Sequence, residues 1–310
     1  MRTLRFHEYG SPLDVVQLDD AETPTPGPGQ IRVAVQACGL NPADWALCNG
    51  LFAGTLPRGI GLEVSGIVDA IGSGVTGVAV GEPVLGPAPF REAMAGASDY
   101  AVLDSWFPRP PGLDPISAAA LPMAVETAHH GLAGLGVPEL ADDITVLVNG
   151  AGTTVGYAAV QMALQRGARV IATAGKTYAD ALRARGARVT AYGEGMAERV
   201  LELAGGRVDL ALDTAPQSNS LPEVIRTVGK PADVLTISDF TAAHELGVRT
   251  QFSENAPQDL GPVLGDYARL AAEGKFTVPV ARTFPLEDWR AAAELSLSGR
   301  PGGKLVLRMV

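Results

Sequence analysis

The chain has little cysteine, few aromatic residues and no long hydrophobic run, and each shortage excludes a class of protein. The two cysteines, Cys38 and Cys48, are too few for a disulfide framework, and we expect both to be buried or half-buried free thiols. No apolar stretch approaches the roughly 20 residues of a membrane-spanning helix. The N-terminus lacks the apolar core of a signal peptide, so the sequence predicts a cytoplasmic protein that does not bind membranes.

Basic residues are also scarce and scattered. The chain carries 24 Lys and Arg against 34 Asp and Glu, a formal net charge of −10, and no basic cluster is visible. This argues against nucleic acid as a partner, since such proteins usually present a basic face. An anionic cofactor remains compatible, because a few local backbone N–H groups can bind it in spite of a negative surface.

What is present suits a packed protein with two domains. The chain has 310 residues, 46% of them hydrophobic, and contains 37 glycines and 23 prolines. Residues 1 to about 115 are rich in turns and in short strand patterns, such as Ile31–Ala37 and Val64–Gly72. Beyond Pro115 a helical stretch to about Leu135 is predicted, and after it apolar strands alternate with helices.

The alternation predicts a doubly wound parallel sheet, because continuous apolar strands with helical crossovers are covered on both faces. After this alternating segment, an amphipathic helix from Trp289 and a strand from Gly302 return to the first domain. We therefore expect an α/β protein with a β-rich domain of residues 1–115 and 275–310, and a doubly wound domain of residues 116–274.

The strongest local motif is the turn at the end of the first of these strands. It comprises Gly150, Ala151, Gly152, Thr153, Thr154, Val155 and Gly156. Glycine is needed there because a Cβ would hold the backbone away from a pyrophosphate, and the N–H groups at the following helix start bind that anion. A glycine turn with a purely structural role is the weaker alternative.

The second strand predicts the choice of cofactor. NAD-binding folds place an acid near its end, but Val170–Lys176 contains none. Ala174, Gly175 and Lys176 would instead lie against the 2′-phosphate of NADPH, which Lys176 attracts; a solvated loop lysine is the other interpretation. NADPH (NADP+) is therefore the expected cofactor.

Several segments along the chain resemble the medium-chain dehydrogenase/reductases, in the zinc-independent, zeta-crystallin-like quinone oxidoreductase branch. They are Gly39–Trp45, Gly61–Val68, Val75–Val84, Ala118–Met123 with Glu126–Ala128, the glycine turn, and Gly302–Leu307. The resemblance implies a Rossmann domain joined to a GroES-like domain, and a homodimer. It also places Asn41 and Leu62 where zinc-dependent relatives have a Cys and a His, so no metal is expected.

The resemblance further implies roles for individual residues. Asn41 would lie beside the nicotinamide and the substrate, Thr127 beside the nicotinamide ribose or phosphate, and Tyr192 near the 2′-phosphate. Ile237, Asp239, Phe240, Gly303 and Lys304 would line the cofactor groove. Asn41 could instead be only the turn residue before Pro42, Thr127 only a residue of the helix interior, and Tyr192 only a surface tyrosine. Glu63 is expected to be mainly a structural carboxylate.

These features imply transfer of a hydride from NADPH to a small quinone or α,β-unsaturated carbonyl (enone or enoyl) compound. Relatives often carry a Tyr where this chain has Ala46, which leaves no obvious proton donor. A non-catalytic NADPH-binding redox sensor or structural protein is the alternative. Loops 49–57, 87–97 and 240–257 would shape the acceptor pocket, with Met94–Ala97 as a mobile rim. The segment Asp239–Phe252 could supply an edge strand for a dimer.

Overall fold

The computed structural model describes residues 1–216, 218–250 and 263–309. The strands are β1 (Arg2–Phe6), β2 (Val16–Asp20), β3 (Ile31–Leu40), β4 (Arg58–Gly59), β5 (Glu63–Ile71), β6 (Pro83–Pro87), β7 (Tyr100–Leu103), β8 (Phe107–Pro108), β9 (Thr145–Asn149), β10 (Arg169–Thr173), β11 (Arg188–Thr190), β12 (Leu210–Asp213), β13 (Val234–Thr236), β14 (Val280–Pro285) and β15 (Lys304–Arg308). The helices are α1 (Pro12–Val15), α2 (Pro42–Cys48), α3 (Pro115–Ala119), α4 (Pro122–Leu135), α5 (Thr154–Gln165), α6 (Lys176–Ala184), α7 (Met196–Ala204), α8 (Leu221–Val228), α9 (Phe240–Leu246), α10 (Val263–Ala272) and α11 (Trp289–Leu297).

The chain divides into two compact units, Met1–Met123 with Pro262–Val310 and Ala124–Gly261. The boundaries differ from the predicted ones at 115 and 274. Helix α3 packs on β3 and β5, and α10 packs on β8, so both helices belong with the β-rich unit. The bounds predicted from the sequence had placed both helices in the other domain, because a local pattern does not specify the surface on which a helix packs.

The β-rich unit contains a sheet of order β2-β1-β4 and a larger sheet of order β14-β15-β3-β5-β6-β8, in which β7 also pairs with β3. In the larger sheet β3 is antiparallel to both β5 and β15, with Gly39 opposite Glu63 and Leu40 opposite Leu305. This register brings the first residues of β5 and β15 beside the end of β3. The side chains of Asn41, Glu63 and Lys304, which are far apart in the sequence, therefore meet at the ends of these three strands.

The second unit is a parallel five-stranded sheet of order β11-β10-β9-β12-β13, as the predicted Rossmann domain requires. All five residues of the central strand β9 are buried, which shows that both of its faces are covered. The chain order reverses between β9 and β12. Open parallel sheets bind ligands beyond the carboxyl ends of their strands at such a switch point.

Two predicted elements differ in the structure. The helical stretch from residue 116 to 135 is two helices, α3 and α4, because Pro122 disfavours a helical conformation for the residue before it. The predicted edge strand Asp239–Phe252 instead contains helix α9, which Asp239 caps by accepting the Ala242 N–H at 3.3 Å and which ends at the left-handed Gly247. Beyond it Arg249 makes an isolated parallel bridge to Leu235, and residues 251–257 of the predicted loop lie outside the described residues.

Both cysteines are buried free thiols, as predicted. Within the described part of the chain, no helix has the length and apolar character needed to cross a membrane.

Candidate functional site

The glycine turn joins β9 to α5 at the carboxyl edge of the parallel sheet. Gly150 has a φ of +78°, and a Cβ there would lie 2.5 Å from the backbone nitrogen of Ala215. Its N–H donates to Thr173 Oγ1 at 2.9 Å, and the N–H of Ala151 donates to the Thr173 carbonyl at 2.9 Å. Only glycine fits at position 150, and β10 holds the turn in place.

Helix α5 begins with a side-chain cap. Thr153 Oγ1 accepts the N–H of Gly156 at 3.0 Å, and a Cβ on Gly156 would lie 2.4 Å from the Gly150 carbonyl oxygen. Within the described residues, the N–H groups of Gly152, Thr154 and Val155 have no hydrogen-bond partner. Unpaired donors at a helix start form an anion-binding position.

Gly152 differs from the other two glycines of the turn. Its φ is not positive, and a Cβ there would meet only Tyr178 Cδ2 at an ordinary contact distance of 3.7 Å. The fold itself therefore does not require glycine at position 152. A close approach of a ligand to the backbone would require it.

A row of polar side chains follows the apolar strands at this edge and was missed in the sequence analysis. Thr173 Oγ1 donates to Asn149 Oδ1 at 2.6 Å, and Asn149 Nδ2 donates to Asp213 Oδ1 at 2.7 Å. Thr236 Oγ1 donates to Asp213 Oδ2 at 2.7 Å. The available signal was that β9, β10, β12 and β13 each end in a polar residue after an apolar run.

Asp213 accepts from both sides of this row and is buried. Burial raises the pKa of its carboxyl, while the bonds from Thr236 and Asn149 oppose that change. Because Thr173 also accepts from Gly150, the row connects Asp213 with the glycine turn through hydrogen bonds. The carboxyl ends of four strands are thus fixed to one another beneath the turn.

A cavity of about 510 Å³ lies beyond the end of β10. It is lined by Ala174, Gly175, Lys176, Ala179, Asp180, Arg183, Thr190, Ala191 and Tyr192. Lys176 is the first residue of α6, and the ring and hydroxyl of Tyr192 lie about 3.5 Å from where a Cβ on Gly175 would be. The carboxylate of Asp180 is paired with Arg183 at 2.8 Å. The structure thus brings Ala174, Gly175, Lys176 and Tyr192 together and adds Arg183 to them.

The remaining nucleotide-site candidates of this unit lie in the connection after β13, on α9 and on α4. Ile237 and Asp239 directly follow β13, where the Ile237 N–H donates to the Asp213 carbonyl at 3.0 Å. Phe240 begins α9 and is 56% exposed. Thr127 is half-buried on α4. Ile237, Asp239 and Phe240 share the sheet edge that carries the glycine turn.

In the β-rich unit, Asn41, Glu63 and Lys304 form one cluster, in which Glu63 and Lys304 are buried and Asn41 is half-buried. Lys304 Nζ donates to Asn41 Oδ1 at 2.6 Å and forms an ion pair with Glu63 Oε1. Asn41 Nδ2 donates to Glu63 Oε1 at 2.9 Å. The amide of Asn41 is therefore held in one orientation, with its oxygen toward a cation. Gly303 directly precedes Lys304 at the start of β15.

Asp44 is a second buried acid beside this cluster. One of its oxygens accepts the N–H of Asn41 and the other accepts the N–H of Gly61, both at 2.7 Å. Burial raises the pKa of Asp44 to about 7, against the opposing effect of these two bonds. Asp44 fixes the start of α2 against the segment that precedes β5, a role that the sequence analysis did not assign.

The positions that correspond to zinc ligands do not fit a zinc ion. The oxygen of Asn41 is occupied by the ammonium group of Lys304, whose charge would repel a dication. Leu62 offers no ligand atom, and burial raises the pKa of the Cys38 thiol well above its usual value. Among the described residues, no group of three or more His, Cys, Asp or Glu side chains could hold a metal ion.

Two family models match the chain. Residues 27–105 match the alcohol dehydrogenase GroES-like domain, and residues 186–307 match the zinc-binding dehydrogenase family. Together they cover parts of both units. The second family name refers to zinc, but the residues at the positions above differ from a zinc ligand set.

Known proteins similar to the chain include a curated relative and two solved structures. The chain is 32% identical, over 97% of its length, to the spectinabilin polyketide synthase system protein NorB of Streptomyces orinoci, but it spans only 14% of that protein. A quinone oxidoreductase from Coxiella burnetii has a TM-score of 0.82 and 28% identity, with 100% of this chain and 99% of that chain covered. An NAD-dependent alcohol dehydrogenase has a TM-score of 0.82 and 27% identity, with both chains fully covered.

The fold, the glycine turn and these matches agree with the resemblance inferred from the sequence. The parallel sheet carries the turn at its switch point, and the β-rich unit contains the GroES-like match. The chain belongs to the medium-chain dehydrogenase/reductase superfamily of pyridine-nucleotide oxidoreductases, as its similarity to the quinone oxidoreductase branch predicts.

Proposed function

We propose that this protein is an NADPH-dependent reductase that transfers a hydride to a quinone or to an α,β-unsaturated carbonyl compound, without a zinc ion. The observation that carries the proposal is the cavity beyond β10. Lys176, Arg183 and Tyr192 surround the position at which dinucleotide-binding folds hold the adenosine ribose. The ammonium group of Lys176 and the hydroxyl of Tyr192 suit the 2′-phosphate that distinguishes NADPH from NADH, and Arg183 balances the charge of Asp180 beside them.

The placement of Lys176 supports this assignment. A lysine at the first position of a helix lies at the positive end of the helix dipole, where a cation is unfavourable. A phosphate bound between the ammonium group and the helix start would reverse that effect, because it interacts favourably with both. Asp180 also lines the cavity, but its charge is offset by Arg183. One solved neighbour is NAD-dependent, so the cofactor choice rests on these residues.

The glycine turn fits the pyrophosphate of the same cofactor. The unpaired N–H groups of Gly152, Thr154 and Val155 would donate to its oxygens. The absence of a Cβ on Gly152 would let the pyrophosphate approach the backbone. Ile237, Asp239 and Phe240 would line the groove beyond β13, and we keep Thr127 as a candidate contact of the nicotinamide half.

In the β-rich unit we propose Asn41 as the residue beside the nicotinamide and the acceptor, with Gly303 and Lys304 next to it. NADPH would supply the hydride. Lys304 and Glu63 fix the amide of Asn41, so its orientation is set before any ligand binds. A quinone or an activated C=C bond is already electrophilic, and its reduction therefore does not depend on a metal Lewis acid.

Different similar proteins favour different acceptor classes. Similarity to a quinone oxidoreductase over the whole chain favours a quinone. Similarity to a segment of a polyketide synthase favours a 2-enoyl thioester. Both need the same hydride donor, so the proposal includes both. Assembly as a homodimer stays a prediction, which light scattering of the purified protein would test.

The test is oxidation of NADPH, followed by absorbance, with a panel of quinones, enones and enoyl thioesters and with NADH as the control cofactor. Turnover with a preference for NADPH is the expected result. NADPH binding without turnover of any acceptor would favour the non-catalytic redox sensor or structural protein instead. Stoichiometric zinc in the active protein, required for turnover, would contradict the metal-free reaction.

A further inference from the structure

The guanidinium group of Arg58 is buried, with 1% of the residue exposed, yet it has no carboxylate partner among the described residues. Its Nη1 donates to the carbonyl of Phe52 at 2.8 Å. Nε donates to the carbonyl of Phe90 at 3.2 Å, and Nη2 donates to the same oxygen. A buried charge costs free energy unless its N–H groups are hydrogen-bonded, and the bonds of Arg58 go to two backbone carbonyl oxygens.

Arg58 connects two separate loops of the β-rich unit. Phe52 lies in loop 49–57, and Phe90 lies in loop 87–97. Each loop has a further anchor. The Tyr9 hydroxyl donates to the carbonyl of Gly54 at 2.8 Å, and the N–H of Gly59 donates to the carbonyl of Glu92 at 2.9 Å. The expected mobile rim at Met94–Ala97 is instead packed, with Ala95 and Ala97 fully buried.

The two loops present their aromatic rings to solvent as a pair. The ring centroids of Phe52 and Phe90 are 5.8 Å apart at an angle of 57°, while the residues are 60% and 38% exposed. The guanidinium of Arg91 lies 5.3 Å from the centre of the Phe90 ring. Phe52 has a φ of +51°, which is unfavourable for a non-glycine residue and needs support from its surroundings.

The same unit connects this aromatic pair with Asn41. Helix α2 starts after Asn41 and leads directly into loop 49–57. Asp44 accepts from Asn41 and from Gly61, three residues beyond Arg58. Asn41 and Phe52 are therefore joined by helix α2 and the first residues of loop 49–57, and Asp44 holds the start of that helix to the segment that follows Arg58.

We infer that Arg58 is a positioning residue that holds Phe52 and Phe90 as a contact for the planar ring of a quinone acceptor. Two tilted rings with an adjacent guanidinium suit a flat π system, whose carbonyl oxygens can accept from Arg91. A linear enoyl chain gains nothing specific from ring geometry. The inference rests on the proposed reductase function and selects the quinone within it.

The test compares Phe52→Ala and Phe90→Ala with the wild-type protein, with 2-methyl-1,4-naphthoquinone and with a crotonyl thioester as acceptors. Both residues are exposed, so their variants should fold. We expect KM for the naphthoquinone to rise about tenfold, with kcat, KM for the thioester and the NADPH dissociation constant unchanged. Val80→Ala, which truncates an exposed apolar residue of the same unit, is the matched control. An equal change for both acceptors, or none, would overturn the inference.

Arg58→Lys keeps the charge but replaces three donor nitrogen atoms with one, so it should raise the same KM. If Arg58 acts through the aromatic pair, adding Phe90→Ala to Arg58→Lys should raise KM little further. Additive effects would show that Arg58 acts in another way.

Equilibrium dialysis of the naphthoquinone with NADP+-saturated protein distinguishes a failure of the proposed aromatic contact from a failure of the proposed reductase function. Quinone binding that weakens in both Phe variants, without turnover of any acceptor, would support the aromatic contact and reject the reductase. Normal turnover with unchanged quinone binding in the variants would reject the contact and support the reductase.

Discussion

The ammonium group of Lys304 lies 2.6 Å from Oδ1 of Asn41 and forms an ion pair with Glu63, which joins the end of β3 to the starts of β5 and β15. All three polar groups lie at the ends of three adjacent strands of one sheet. Glu63 and Lys304 are 0% and 1% exposed. Lys304 neutralises the carboxylate of Glu63 and orients the amide of Asn41 at the same time.

Lys304→Met should therefore destabilise the β-rich unit strongly. The substitution leaves the Glu63 carboxylate buried without its cation, which typically costs about 3–5 kcal/mol. Urea denaturation followed by circular dichroism measures this change. The double variant Glu63→Gln with Lys304→Met should recover much of the loss, because neither charge remains. A Lys304→Met protein as stable as the wild type would show that the pair contributes little.

Gly152→Ala should weaken cofactor binding without a loss of stability, whereas Gly156→Ala should lower stability directly. Position 152 has room for a methyl group, so Gly152→Ala should fold with a melting temperature close to that of the wild type. It should weaken NADPH binding about tenfold or more, because its Cβ would lie at the position proposed for the pyrophosphate.

Gly156→Ala places its Cβ 2.4 Å from the Gly150 carbonyl and should lower the melting temperature directly. Thermal melts and NADPH fluorescence titrations of both variants provide the comparison. Unchanged cofactor affinity in Gly152→Ala would contradict the proposed position of the pyrophosphate.

Lys176→Met should weaken NADPH binding by roughly 10–100-fold and change NADH binding little, since a charge-assisted hydrogen bond is worth about 1.5–3 kcal/mol. Tyr192→Phe should act in the same direction with a smaller effect. Fluorescence titration with both cofactors measures the ratio of affinities. An equal loss for NADH and NADPH would indicate that Lys176 does not contact the 2′-phosphate.

The raised pKa of Asp44 predicts that the free energy of unfolding depends on pH between about pH 4 and pH 7. Its pKa is raised to about 7 in the folded protein, mainly by burial, from an ordinary value of 3.8. The folded state therefore holds a proton that the unfolded state has lost in this range. Stability from this group is present below pH 4 and falls as the pH rises towards 7, by up to about 4 kcal/mol.

Asp44→Asn cannot ionise and should lack this contribution. The difference between the unfolding free energies of the wild type and Asp44→Asn, measured at several pH values, isolates it from Asp213, whose pKa is also raised. A constant difference from pH 4 to pH 7 would show that Asp44 does not titrate in this range.

Local sequence determined much of the nucleotide-binding unit. Gly150 is required by a positive φ and Gly156 by a close backbone contact, both of which depend on neighbours in a short strand–turn–helix segment. The alternation of apolar strands with helices likewise predicted the parallel sheet, because each element carries its own periodicity. Most of the described part of the segment Asp239–Phe252, expected to supply an edge strand, is instead helix α9, for which Asp239 and Gly247 are the cap residues.

Only the tertiary structure decided which distant residues meet. The sequence could not predict that the ammonium group of Lys304 lies on Asn41, or that Thr173, Asn149, Asp213 and Thr236 form one hydrogen-bonded row. It also could not predict that Arg58 binds the carbonyl oxygens of two separate loops. These contacts depend on strand register and loop closure, which are set by packing across the whole unit and leave no periodic pattern in the chain.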